Sequence, residues 1–195
     1  MLPRPNIANL YADLYDDLLG EMANIHPNTV FGENDPPRIG RGVIIEEGCK
    51  IGNNTIIGNY VVMRPNTIIG DNCIVGHLTV FEGDTTIGDR VTVHSQCHIT
   101  SETIIEDDVF IAPMTCCINT HRIKHGRDFE LILKGATIRR AARIGARTLM
   151  MPGIEIGENA QVGAGSLVTK NIPARECWFG SPAVFKKLVP PEEIL

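Results

Sequence analysis

The sequence is poor in aromatic residues and has no long apolar run. Only 5% of its 195 residues are aromatic, so we expect a narrow interior with little room for large rings. No apolar stretch approaches the roughly 18–20 residues of a transmembrane helix, and membrane insertion is therefore not expected. The acidic N-terminal segment lacks the apolar centre of a signal peptide, which predicts a cytoplasmic protein.

Positive charge is also scarce overall. The chain has 18 Lys and Arg against 23 Asp and Glu, a net charge of -5, and this balance argues against nucleic acid as a general partner. The sequence contains neither a P-loop nor a glycine-rich dinucleotide motif. A phosphate-bearing ligand would therefore have to be bound by dispersed cationic side chains.

The six cysteines lack the spacing of a zinc site or of a disulfide framework. Cys49, Cys73 and Cys97 are each twenty-four residues apart, and we interpret them as small core residues. Cys116 and Cys117 are adjacent and cannot easily bridge. No metal site is predicted.

The sequence does contain a six-residue repeat. Fourteen blocks run without a gap from Ile39 to Arg122, and six more run from Ile138 to Pro173 in a shifted phase. All twenty first positions are apolar, nine of the second positions are Gly, and the fifth positions of the first thirteen blocks are Val, Thr or Cys. Such a period indicates a solenoid.

Six residues suit a short strand followed by a corner. The first and fifth positions have the same parity and face inward together, and Gly at a corner removes a side-chain clash. Three sides close a coil of about eighteen residues. Burying one Ile gives roughly 1.5–3 kcal/mol, whereas ordering six residues costs on the order of 6–12 kcal/mol, so the coils must stack to be stable.

The segments outside the repeat complete the predicted organisation. Residues 6–23 have apolar side chains at helical spacing, so we assign 1–30 to an N-terminal helical segment and linker. Residues 31–173 form the repeat domain, with an inserted loop at 123–137, and 174–195 form a C-terminal tail.

The repeat breaks at His121. This residue stands at a fifth position, where an imidazole is too large for the slot, and the non-repeating insertion follows at once. Loops that leave a repeat often carry function. The basic residues concentrate in the same region, with only Asp128 and Glu130 among them, which suggests an anionic ligand: Arg122, Lys124, Arg127, Lys134, Arg139, Arg140, Arg143 and Arg147.

The repeat and the C-terminal run IGARTLMMPGIEIGENAQVGAGSLVTKNIP, followed by GSPA, resemble the hexapeptide-repeat acyltransferases. The resemblance covers about residues 39–187 and implies an all-β fold, a left-handed parallel β-helix. It also implies a homotrimer with acetyl-CoA in a groove between neighbouring subunits. By residue matching, the cofactor would be bound by Ala146, Ala164, Thr169 and Lys170, with Lys170 near a phosphate.

The motif INTHR resembles the Thr-His segment of the galactoside and maltose O-acetyltransferases. This resemblance implies transfer of acetyl to a hydroxyl of a sugar or sugar-like acceptor, in carbohydrate biosynthesis. His121 would be the general base, because a neutral imidazole can remove the hydroxyl proton as the oxygen attacks the thioester. Asn119 and Arg122 would bind the acceptor.

Three alternatives remain open. EDDVFIAP at 106–113 and KGATI at 134–138 also resemble the N-acetyltransferases that act on nucleotide-linked amino sugars, for which Asn119 would be a binding residue. A metal lyase of the γ-carbonic-anhydrase type would need three converging histidines, for which His77, His94 and His98 are candidates. The third alternative is a noncatalytic scaffold.

Overall fold

A computed structural model describes residues 23–195. Within this range the chain forms three parallel sheets that are the three sides of one coiled stack. The predicted all-β fold, a left-handed parallel β-helix, is confirmed. The predicted helix at 6–23 lies outside the described residues, apart from its last position.

Each coil contributes one two-residue strand to each sheet, and two longer strands extend the third sheet at the C-terminal end. The sheets are lettered in chain order. Sheet A contains β1 Asn24–Ile25, β4 Ile44–Ile45, β7 Val62–Met63, β10 Val80–Phe81, β13 His98–Ile99, β16 Cys116–Cys117, β19 Leu149–Met150 and β22 Leu167–Val168. Sheet B contains β2 Val30–Phe31, β5 Lys50–Ile51, β8 Ile68–Ile69, β11 Thr86–Ile87, β14 Ile104–Ile105, β17 Thr137–Ile138 and β20 Glu155–Ile156. Sheet C contains β3 Arg38–Ile39, β6 Ile56–Ile57, β9 Ile74–Val75, β12 Thr92–Val93, β15 Phe110–Ile111, β18 Arg143–Ile144, β21 Gln161–Val162, β23 Glu176–Gly180 and β24 Ala183–Leu188.

The interior is built from the first and fifth positions of the blocks. Ile45 is 2% exposed and Ile57 1%, while the fifth-position residues Val43, Cys49 and Thr55 are fully buried. Successive coils pair in parallel with registers eighteen residues apart, as in Ile56 with Ile74. The large and small side chains therefore stack in separate columns along the helix axis.

The corners depend on two positions of the block. The left-handed backbone lies at the fourth position, which non-glycine residues such as Asn54, Asn66 and Asn72 occupy with φ between 50° and 61°. Gly at the second position removes a side-chain clash, as predicted, and permits close approach of the next coil. A Cβ at Gly58 would lie 2.7 Å from the backbone nitrogen of His77.

The ends of the stack lie outside the six-residue blocks. At one end β1 pairs with β4, so Asn24 and Ile25 already belong to sheet A. At the other end, β23 pairs in parallel with β21 and then turns back antiparallel as β24. The segment 174–195 thus continues sheet C as a hairpin, followed by a short 3-10 helix at Pro191–Glu193.

The insertion leaves at the AB corner, the turn between a strand of sheet A and the next strand of sheet B. It follows β16, and the chain re-enters the stack at β17, which pairs with β14 in register. The coils above and below therefore remain aligned across the loop. Within the described residues, no helix has the length and apolar character needed to cross a membrane.

Candidate active site

The inserted loop is closed at its base by hydrogen bonds. The backbone nitrogen of Lys134 donates to the carbonyl oxygen of Asn119 at 2.8 Å, and the nitrogen of Gly153 donates to the carbonyl oxygen of Lys134 at 2.9 Å. The side-chain amide of Asn119 donates to the hydroxyl oxygen of Ser101 at 2.8 Å. The loop is therefore fixed to the coil before it and to the coil after it.

The return of the loop requires glycine. A Cβ at Gly135 would overlap the backbone carbonyl group of Glu102. A Cβ at Gly153, where φ is +66°, would lie 2.6 Å from Cδ of Lys134. The Lys134 side chain thus lies across Gly153, on the AB corner one coil beyond the base of the loop.

The loop encloses a cavity of about 190 Å³. His121 and Arg122 line one side of it, and the remaining lining residues come from the returning arm of the loop: Phe129, Glu130, Leu131, Ile132 and Lys134. The cavity thus combines an apolar wall with one imidazole, two cations and one carboxylate. This is the chemistry of a small polar ligand site with a candidate base.

His121 does not occupy the inward slot of its block. Its side chain is exposed, and the backbone ladder of sheet A ends one residue beyond β16, where the nitrogen of Ile118 donates to the carbonyl oxygen of Met150 at 3.1 Å. The fifth-position rule therefore fails at His121, as its size predicts. His121 lines the loop cavity instead.

Arg122 is held by an aromatic ring. Its Cζ lies 3.8 Å from the ring centroid of Phe129, within cation–π range. Neither Phe129 nor Lys134 was among the site residues predicted from the sequence. Lys134 was visible only as part of a charge cluster, and Phe129 gave no signal because the loop has no period that could place it.

The basic residues of this region divide into two groups. Arg139 bonds Glu106 at 2.8 Å and Glu155 at 3.1 Å, and Arg140 bonds Asp108 at 3.1 Å. Arg143 bonds Glu193 at 2.7 Å. The cations without an ion pair to any residue in 23–195 are Arg122, Lys124, Arg127, Lys134 and Arg147. The sequence alone could not separate these groups, because the acids lie on neighbouring coils or, for Glu193, in the C-terminal 3-10 helix.

The four predicted cofactor residues lie at two different corners. Ala146 and Ala164 follow β18 and β21, at the CA corner, where the nitrogen of Gly165 donates to the carbonyl oxygen of Ala146 at 2.8 Å. Thr169 and Lys170 follow β22, at the AB corner, and both are exposed. Sheet A separates the two pairs within one chain.

Thr169 and Lys170 share their corner with the loop. The base of the loop, the turn at Gly153 and the turn at Lys170 lie on successive coils, so about 10 Å separates the first from the last. At the other corner, a Cβ on Gly163 would lie 2.5 Å from Cβ of Phe179. Phe179 therefore packs against the corner that carries Ala164, a contact without a repeat signature because β23 lies outside the six-residue blocks.

The three histidines considered for a metal site have different surroundings. His77 Nδ1 accepts a hydrogen bond from the backbone of Asn59 at 2.7 Å, His94 packs edge-on against Phe110, and His98 Nε2 lies 3.6 Å from a carboxylate oxygen of Glu82. Among the residues from 23 to 195, no three His, Cys, Asp or Glu side chains converge as a metal site would require. The geometry of one chain thus gives the metal-lyase alternative no support.

Two family models match parts of this chain. The model described as "hexapeptide repeat of succinyl-transferase" matches residues 141–170, and the model described as "GMPPB C-terminal domain" matches residues 16–109. The second match overlaps the uninterrupted blocks, and the first covers the segment that contains Ala146 and Ala164.

Two curated acetyltransferases are similar to parts of this chain. The chain is 37% identical over 81 residues to a galactoside O-acetyltransferase of Escherichia coli, a match that covers 40% of each protein. It is 44% identical over 52 residues, 27% of each chain, to a dTDP-3-amino-3,6-dideoxy-alpha-D-galactopyranose 3-N-acetyltransferase of Aneurinibacillus thermoaerophilus. The chain thus spans two fifths or less of the length of these curated relatives.

A solved galactoside acetyltransferase in complex with coenzyme A superposes with a TM-score of 0.58 at 26% sequence identity, covering 66% of this chain and 68% of the other. The resemblance stated from the repeat is therefore confirmed in both sequence and fold. By its six-residue period, its β-helix and these matches, the chain resembles the hexapeptide-repeat acetyltransferases.

Proposed function

We propose that this protein transfers acetyl from acetyl-CoA to a hydroxyl of a sugar or sugar-like acceptor, with His121 as the general base. The observation that carries the proposal is the cavity lined by His121 and Arg122 at the base of the inserted loop. The similarity to galactoside O-acetyltransferases supports this choice of reaction. The reaction belongs to carbohydrate biosynthesis in the cytoplasm.

In this mechanism the acceptor occupies the loop cavity beside His121. The neutral imidazole takes the hydroxyl proton while the oxygen attacks the thioester carbonyl. A C–O bond forms, the C–S bond breaks, and the imidazolium returns the proton to sulfur, so that coenzyme A leaves as the thiol. General-base assistance of this kind contributes about 10²–10⁴ in rate. Asn119 holds the loop base, and its role toward the acceptor remains a prediction.

The cofactor site requires two chains in this proposal. Ala146 and Ala164 allow the pantetheine arm to approach the backbone, while Thr169 and Lys170 contact a phosphate of acetyl-CoA. Because sheet A separates these pairs in one chain, a groove between neighbouring subunits of a homotrimer can combine one pair from each subunit. Sedimentation at three times the chain mass of 21.4 kDa would support the trimer, and a monomer with full activity would contradict it.

A second candidate acceptor is the amino group of a nucleotide-linked sugar. The unpaired loop cations and the similarity to a dTDP-amino-sugar N-acetyltransferase favour it. An unprotonated amine needs less help from a base than a hydroxyl does, so His121→Ala would then cost little.

Both candidates are tested by measuring thiol release from acetyl-CoA with plain sugars, amino sugars and nucleotide sugars, followed by mass analysis of the product. O-acetylation of a sugar supports the proposal, and N-acetylation confined to amino-sugar nucleotides supports the second candidate. Absence of acetyl transfer to every acceptor would contradict both and favour a scaffold.

A further inference from the structure

We propose that the acceptor carries an anionic group, a phosphate or a carboxylate, and that Arg122 is the residue that selects it. This inference rests on the proposed acetyl transfer and adds the charge of the acceptor. The inference follows from which cations near the loop form ion pairs and which line the cavity.

Some arginines of the stack are neutralised by acids of neighbouring coils, whereas Arg38 and Arg41 form no ion pair with residues 23–195. Arg90 bonds Asp107 and Asp108, and Arg139 bonds Glu106 and Glu155, each within 3.1 Å. Arg122, Lys124, Arg127 and Lys134 form no ion pair with residues 23–195, against only Asp128 and Glu130 in the same segment. The loop therefore has a local excess of two positive charges on a chain of net charge -5.

Arg122 has the geometry of an anion receptor. Its guanidinium lies over the Phe129 ring at 3.8 Å, so the ring covers one face and restrains the side chain. The N–H groups along the guanidinium edge remain available, and this edge can bind a carboxylate or phosphate with two parallel hydrogen bonds. Lys134 lines the same cavity and adds a second cation there.

The size of the cavity limits the ligand to a small group. At about 190 Å³ it is smaller than the about 300–1,000 Å³ typical of pockets for drug-sized ligands, and it suits one sugar-sized group. Lys124 and Arg127 are exposed in the same loop and add to its positive charge.

A phosphate of acetyl-CoA is the other possible source of negative charge. Two features favour the acceptor. Arg122 is next to His121 and lines its cavity, where the acceptor hydroxyl must lie, whereas Lys170 is about two coils away along the corner. The two possibilities are separated by measuring KM for the acceptor and KM for acetyl-CoA in the same variants.

The test compares a neutral hexose, its 1-phosphate and the corresponding uronate as acceptors for the full-length protein. Arg122→Gln should lower kcat/KM for the anionic acceptors relative to the neutral hexose at least tenfold, while KM for acetyl-CoA stays within twofold. Arg122→Lys should recover part of this preference, and the matched control Arg41→Gln, which removes an exposed arginine on another corner, should leave it unchanged. Binding of hexose 1-phosphate by titration calorimetry should weaken with Arg122→Gln and with added salt.

Three outcomes would overturn the proposal. Equal use of neutral and anionic acceptors by the wild type would refute it while leaving acetyl transfer intact. A rise in KM for acetyl-CoA with Arg122→Gln, at unchanged acceptor preference, would assign the cation to the cofactor. Failure of every acceptor to release thiol would remove the proposed function itself.

Discussion

The side-chain amide of Asn119 donates a hydrogen bond of 2.8 Å to the hydroxyl oxygen of Ser101, which lies one coil earlier on the same corner. The bond joins the first residue of the loop to the regular stack. Two residues further along, His121 lines the cavity. The position of the candidate base therefore depends on this contact between coils.

Removal of the Ser101 hydroxyl should loosen the loop without unfolding the stack. Ser101→Ala leaves the Asn119 amide only its longer hydrogen bond, 3.5 Å to the carbonyl oxygen of residue 101, at a cost of about 0.5–1.5 kcal/mol to the closed loop. We expect faster amide exchange across 120–133 and several-fold lower turnover. The control is Ser95→Ala, since the Ser95 hydroxyl makes no hydrogen bond to the part of the chain described here. Equal exchange in both variants would show that the bond does not hold the loop.

Substitution of Gly135 should affect the whole stack. In Gly135→Ala the new methyl overlaps the Glu102 carbonyl, and relief of such overpacking costs about 1–3 kcal/mol. Gly126→Ala is the matched control, because a Cβ there meets nothing within 4 Å and adds only the strain of φ +76°. Denaturant unfolding should show the larger loss for Gly135→Ala. The reverse order would contradict the close packing of the returning arm.

Lys170 should contribute to cofactor binding and not to stability. The side chain is exposed and its ion pair with a phosphate is screened, so Lys170→Gln should raise KM for acetyl-CoA about two- to fivefold. Lys50→Gln, an exposed lysine on sheet B, is the control. An unchanged KM at low ionic strength would remove Lys170 from the cofactor site.

The buried thiols predict a loss of stability at alkaline pH. Burial raises the pKa of the Cys73 thiol from its ordinary 9.0 to about 11. Below pH 9 the thiol is protonated whether the chain is folded or unfolded. Between pH 9 and 11 only the unfolded chain releases the proton, so the free energy of unfolding falls, by on the order of 3 kcal/mol for this residue.

This pH dependence is measured by denaturant unfolding at pH 8 and pH 11. Cys73→Ala should show a smaller decrease than the wild type, with the remainder coming from the other buried thiols. Identical decreases in the two proteins would mean that the Cys73 pKa is not shifted by folding.

The regular part of the fold could be predicted because each coil repeats the same local rule. Ile45, Cys49 and Thr55 stand at first or fifth positions of their blocks, which face the same side of a strand, and all three are buried as this spacing predicts. The left-handed backbone at the fourth position was not predicted, because residues as different as Asn, Arg and Leu occupy that position and the residue type gives no clear signal. The continuation of sheet C through Trp178 was missed because the hairpin lacks the six-residue spacing.

The site could be predicted only where it interrupts the rule. His121 was identifiable as a misfit in a known slot. Phe129 lies in a segment without a period, and its contact with Arg122 depends on how the loop folds back. The division between paired and unpaired arginines likewise depends on residues sixteen to fifty positions apart, from Arg139 with Glu155 to Arg143 with Glu193.

The central claim, catalysis by His121, is tested most directly by comparing His121→Ala with His125→Ala. Both histidines are exposed between β16 and β17, but only His121 lines the cavity. We predict that His121→Ala lowers kcat for thiol release from acetyl-CoA, with the best hydroxyl acceptor, by about 10²–10⁴, while His125→Ala stays within twofold of the wild type. Full turnover by a correctly folded His121→Ala protein would contradict the account.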